Sequence, residues 1–127
     1  MPNYANAKRH SIYRQLVAST LGLAGLDAVA LPMRSFKTLV EAMADESEPQ
    51  PDVALPGFYV KVSAALSAER VGPALDSAAQ SADLRGDGVL PVVISHRRSH
   101  GVSDSLVTVR LADFAKLAGQ LAGVDAT

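Results

Sequence analysis

Asp52 follows Pro51 and opens the short apolar run Val53-Ala54-Leu55, which makes it the first carboxylate in this chain with a setting for chemistry. Shortly after it comes Phe58-Tyr59-Val60-Lys61-Val62-Ser63, in which Phe58, Val60 and Val62 alternate with Tyr59, Lys61 and Ser63. Alternation at period two is the mark of a strand with one apolar face, so Lys61 and Ser63 project the same way. A lone carboxylate is a poor metal site, because Mg²⁺ or Mn²⁺ needs several oxygen ligands and an ammonium close by opposes the cation. A lysine beside Asp52 has two other uses. It either places a fixed positive charge that attracts a phosphate without cutting it, or simply pairs with a half-buried aspartate, as buried charges usually do.

The densest basic cluster is His96-Arg97-Arg98-Ser99-His100, at the end of the apolar run 89–95, where loops tend to carry binding groups. Phosphate contact is the functional reading, and a solvated loop is the plain alternative. Its two histidines have no helical register in a loop and no carboxylate joins them before Asp104, so a metal site is not expected there. A second basic group, Lys8, Arg9, His10 and Arg14, either extends a phosphate-binding surface or forms the solvated side of a helix. The acidic residues Glu41, Asp45, Glu46 and Glu48 read as a solvated helix end and loop. Tyr4, Tyr13 and Tyr59 are too scattered for a base-stacking platform. Nothing matches a glycine-rich dinucleotide fingerprint, a phosphate-binding loop or a nucleophile elbow, and Gly86-Asp87-Gly88 precedes a strand rather than a helix.

The elements that hold these residues follow from periodicity. A first helix is expected over about 6–23, with Ile12, Leu16, Val17, Leu21 and Leu23 as its inward stripe and Gly22 and Gly25 at its end. Ala28 to Leu31 reads as a short strand, and Ser35 as the N-cap of a helix bearing Phe36, Leu39, Val40 and Met43. Pro49 and Pro51 end that helix, and Pro56-Gly57 joins Asp52–Leu55 to Phe58–Ser63 as a hairpin. A helix from about Pro73 puts Leu75, Ala78, Ala79 and Ala82 inward and stops at Gly86 to Gly88. Val89 to Ser95 reads as a central strand buried on both faces and parallel to its neighbour. Ser105 to Arg110 is a further strand, and a last helix from Leu111 puts Leu111, Phe114, Leu117 and Leu121 on one face. The predicted order is α-β-α-β-β-α-β-β-α, an α/β fold with a mixed central sheet flanked by helices.

The 127 residues suffice for a single domain, 1–127, and the 48% hydrophobic and 20% charged content is that of a globular chain. The absence of cysteine excludes disulfides, thiolate metal sites and cysteine nucleophiles, and fits a cytoplasmic protein. A net charge of -1 leaves any nucleic-acid contact to local patches. Leu16 to Ala30 follows basic residues and ends in Ala28-Val29-Ala30, like a secretory leader, but Ser19, Thr20, Gly22, Gly25 and Asp27 dilute it too much for a leader or a membrane span.

Taken in order, Asn6-Ala7-Lys8-Arg9 opening the first helix, Pro51-Asp52 at a strand start, Phe58 to Ser63 as the next strand, Pro91 to Arg98 and the closing Val107 to Phe114 resemble the PD-(D/E)XK nucleases. The likeness is to the small Holliday-junction-resolvase-like proteins of archaea and phages, and it spans most of the chain. It implies a restriction-endonuclease-like core, DNA as the partner, a homodimer and a phage or prophage setting. In that family an acid on the first helix, the aspartate of Pro-Asp and the acid of an acid-x-lysine strand hold Mg²⁺ or Mn²⁺, which activates water. Carried over, Asp52 is retained, Lys61 stands at the metal-binding acid and Ser63 at the lysine, while the first helix offers Tyr13 and Arg14 and no acid. The expectation is therefore a catalytically degenerate domain without a metal cofactor. It would bind duplex or branched DNA through Lys8, Arg9, Arg14, His96, Arg97, Arg98 and His100, or bind a protein partner. Two alternatives remain: an active metal-dependent endonuclease whose acid has moved, with Glu69 joining Asp52 as ligand and Glu41, Glu46 and Glu48 as further candidates, and an assembly module that has lost nucleic acid altogether.

Overall fold

A computed structural model describes residues 4–31, 50–63 and 68–123 of the chain. The helix expected from Ser35, with Phe36, Leu39, Val40 and Met43, lies outside the described residues, as do Glu41, Asp45, Glu46 and Glu48. The elements run α1 (Tyr4–Leu23), β1 (Val29–Ala30), β2 (Val53–Leu55), β3 (Phe58–Ser63), α2 (Ala68–Arg85), β4 (Leu90–Ser95), a 3-10 turn (Val102–Asp104), β5 (Leu106–Thr108) and α3 (Leu111–Leu121). The fold is α/β, and the five strands form one open mixed sheet in the order β1-β2-β3-β4-β5.

The hairpin between β2 and β3 turns at Pro56-Gly57, where Gly57 has φ of +87°. Proline followed by a glycine at positive φ is the chemistry of a type II turn. It fixes the antiparallel register Val53↔Val60, Ala54↔Tyr59 and Leu55↔Phe58. From β3 the chain crosses through α2 and returns in β4 parallel to β3, with Val60↔Val92, Lys61↔Val93 and Ser63↔Ser95 in register. The apolar run of β4 thus lies between β3 and β5, buried from Pro91 to Ser95.

Two clusters cover the faces of the sheet. Tyr13, Val17 and Ala18 of α1 pack on Val53, Val60, Val62, Val92 and Ile94. Leu75, Ala78 and Ala82 of α2 pack on Tyr59 and Val93. Alternation along β3 therefore assigns Lys61 and Ser63 to the α2 face, and along β4 assigns Ser95 to that face as well.

Three expectations are corrected. Of the stripe Ile12, Leu16, Val17, Leu21 and Leu23 expected to face inward on α1, Val17 is buried and Leu21 packs against the core, while Ile12, Leu16 and Leu23 are exposed; the inward face is Tyr13, Arg14, Val17 and Ala18. Two of those four are polar side chains satisfied by partners on distant elements, which a reading of apolarity alone passes over. Helix α2 begins at Ala68 rather than Pro73, so the proline sits inside the helix. The face of α3 is largely uncovered: Leu111, Phe114 and Leu121 are exposed and Asp113 is its buried residue.

Candidate functional site at the C-terminal end of the parallel strands

Asp52 immediately precedes β2, where the pairing of that strand with β3 ends. Its backbone donates to the Val60 carbonyl at 2.8 Å, and its carboxylate Oδ2 accepts the Val62 amide at 2.8 Å. Where the backbone ladder of β2 runs out, this side chain supplies the acceptor that the β3 amide requires. The other oxygen, Oδ1, lies 3.6 Å from Arg14 Nη2 and 3.5 Å from Lys61 Nζ. Asp52 is 8% exposed and Arg14 is 4% exposed. The Lys61 side chain, at 44% exposure, reaches the pair from solvent.

Arg14 does more than balance Asp52. Its guanidinium also donates to the Leu31 carbonyl, just beyond β1, and to the Asp52 carbonyl at 3.2 Å. One side chain from α1 therefore ties together the end of β1 and the start of β2, and its charge is compensated by Asp52 inside the protein. A buried guanidinium with carbonyl acceptors and a carboxylate is satisfied; the same group without the carboxylate is not. Arg14, read from the sequence as a possible phosphate ligand, is thereby placed away from Lys8 and Arg9, which are exposed on the same helix.

Around this core, α1 is pinned to the C-terminal ends of β3 and β4. His10 Nε2 meets the Val62 carbonyl at 3.0 Å, Tyr13 donates to Ser105 Oγ at 2.7 Å, and the Tyr13 ring meets that of His96 edge-on at 5.1 Å. Burial pushes the Tyr13 phenol above its ordinary value, with the Ser105 hydrogen bond opposing this more weakly. The basic loop begins at the same end, where the His96 amide donates to the Ser63 carbonyl at 3.0 Å. Its histidines brace it from within, His96 against the His100 carbonyl and His100 against that of Arg98, while Arg97 and Arg98 stay exposed. The positive φ of 64° at Ser99 gives the loop its tight turn.

The predicted residues are thus gathered at one end of the sheet but in two layers. Asp52, Arg14 and Lys61 form an ion cluster; Ser63 stands beside Ser95 on the next strand. His96, Arg97, Arg98 and His100 form the loop beyond, and an open cleft of about 560 Å³ runs between that loop, Ser95, Val71 of α2 and the inner edge of β5. Among the described residues no group of three His, Asp or Glu side chains is placed to hold a metal ion. Glu69 is in the first turn of α2, and its side chain is outside what the structure describes. The roles of Tyr13 and Ser95 were missed from sequence. Nothing local marks them, although the i, i+3, i+4, i+7 series His10, Tyr13, Arg14 and Val17 would have shown the true inner face of α1 had polar residues been admitted to it.

Compared with protein-family models, curated proteins and solved structures, the chain matches none of them. The helices among the described residues are too short or too polar to cross a membrane.

Proposed function

We propose that this chain is a catalytically degenerate domain of the PD-(D/E)XK kind that binds duplex or branched DNA through phosphate contacts and does not cut it, in the cytoplasm of a phage or prophage host. The observation that carries the proposal is the pairing of Asp52 with Arg14 and Lys61. In the related nucleases the aspartate of the Pro-Asp pair shares a metal with two other acids. Here the same position has two cations beside it, so a divalent ion would have to displace positive charge that already compensates the carboxylate. The reading is also supported by Asp52 standing just before β2, which pairs antiparallel with the Lys61 strand, and by the parallel return to β4 through a helix. The C-terminal ends of parallel strands are a common place for ligand sites, and here they carry exposed Arg97 and Arg98, with exposed Lys8 and Arg9 at the helix end nearby.

The test is incubation of duplex, single-stranded and four-way-junction DNA with the protein and Mg²⁺ or Mn²⁺. Intact DNA is the expected outcome. Metal-dependent cleavage lost in Asp52→Asn, which keeps an acceptor for the Val62 amide, would overturn the proposal and turn attention to Glu69.

The exposed Leu111, Phe114 and Leu121 of α3 favour a second reading, in which this face docks a protein partner, a second copy of the chain being the one the resemblance implies. DNA titration separates the two: an assembly module that has lost nucleic acid would bind none even at low salt.

A further inference from the structure

We infer that the cleft at the end of β4 is a binding site for a phosphate monoester. Its floor includes Ser95, which is 5% exposed and whose hydroxyl has no hydrogen-bond partner among the described residues. A buried hydroxyl is seldom left unpaired, and one that lines a cleft is a donor waiting for an acceptor that the protein does not supply. No protein bond holds it in one staggered rotamer, and rotation about χ1 is the movement that would bring it to a ligand seated above. Around it stand Arg97, Arg98, His96 and His100, with Thr108 lining the cleft from the adjacent strand β5. The donors all belong to one small region, and two of them are guanidinium groups. Guanidinium groups recognise phosphate oxygens in pairs, and a hydroxyl at the base completes the set.

The volume of about 560 Å³ lies within the range of small-molecule sites, roughly 300–1,000 Å³, and exceeds what a bare oxyanion fills. The site therefore has room for the group to which the phosphate is esterified. A monoester is preferred over an internal phosphodiester because it presents more charge and three terminal oxygens to this many donors. Two sources share that chemistry: a small phosphorylated metabolite, and the terminal phosphate of a nucleic-acid strand. The inference shares the loop 96–100 with the DNA reading and does not require DNA.

The experiment is titration of the protein with inorganic phosphate, in a buffer free of other oxyanions, followed by amide NMR. Saturable shifts clustered at residues 95–100 and 106–108 are expected. Ser95→Ala should weaken the binding about tenfold or more, the loss that goes with one hydrogen bond to a charged group, without lowering the melting temperature in phosphate-free buffer. Arg97→Ala with Arg98→Ala should abolish it. Absence of phosphate binding, or equal affinity in Ser95→Ala, overturns the inference; if the same preparation still shifts DNA, the DNA reading survives that failure. The second arm compares duplexes of equal length with 5′-phosphate and 5′-hydroxyl ends. Tighter binding of the phosphorylated end assigns the site to strand termini, and equal binding alongside retained phosphate affinity assigns it to a small monoester.

Discussion

Arg14 and Asp52 are each costly to bury and tolerable together, because each supplies what the other lost on leaving water. The Arg14 side chain is 5% exposed, so removing its counter-charge leaves a guanidinium with carbonyl acceptors and no carboxylate. Asp52→Ala is expected to lose about 3–5 kcal/mol in urea denaturation, the range for breaking a buried pair from one side. Lys61 meets the same carboxylate from solvent, and Lys61→Ala should cost no more than about 1 kcal/mol. Equal losses for the two would mean that Lys61, and not Arg14, is the principal partner. Tyr13 yields a prediction in pH. Its folded pKa lies above the ordinary 10.0, so both states are protonated below pH 10 and Tyr13 adds no slope there. Above pH 10 the unfolded chain releases its proton first, and stability falls as pH rises toward the folded pKa. Tyr13→Phe should flatten that alkaline fall, measured as unfolding free energy between pH 9 and 11; an unchanged slope would place the effect elsewhere.

Between β2 and β3 the chain depends on one backbone conformation. Gly57 has φ of +87° and open space where a Cβ would sit, so Gly57→Ala tests strain without a clash. A loss of about 1–2 kcal/mol is expected by chemical denaturation, the penalty of placing an L-residue at positive φ. This hairpin was legible in the sequence because Pro-Gly carries its own conformational instruction, and β4 was legible because a run buried on both faces is apolar throughout. The inner face of α1 was legible only at Val17 and Leu21. Tyr13 and Arg14 are buried by virtue of Ser105 and Asp52, 92 and 38 residues away, and no local pattern announces such partners. The start of α2 was misplaced because proline is favoured at a first helical position, whereas here it lies deeper in the helix. Of the candidate site, strand alternation put Lys61 and Ser63 on one face, the closeness of Lys61 to Asp52 was expected from the resemblance, and the basic loop was read from composition. The ion partner Arg14 and the unpaired Ser95 hydroxyl needed the fold.

At the scale of the whole molecule, the described residues leave the apolar face of α3 exposed and a cleft open at the end of β4. If α3 docks a second copy, light scattering at micromolar concentration should give a dimer mass, and Phe114→Asp should return it to a monomer with little change in stability, since Phe114 is exposed in the single chain. A monomeric mass for the unmodified chain would remove that reading. For the basic loop, affinity for DNA should fall steeply with salt, and replacing Arg97 and Arg98 together should reduce the slope of log affinity against log salt by up to about two, one per phosphate no longer neutralised. Lys61→Glu would restore an acid beside Asp52, and is expected to weaken metal-free DNA binding while raising affinity for Mg²⁺. The central claim, the proposal that the chain holds DNA with cations where the nucleases it resembles hold a metal, is tested most directly by native electrophoresis of a labelled four-way junction at low salt with excess chelator. The protein is predicted to retard the junction without any divalent ion. A junction that runs free at every protein concentration, where electrostatic attraction is least screened, would contradict the account.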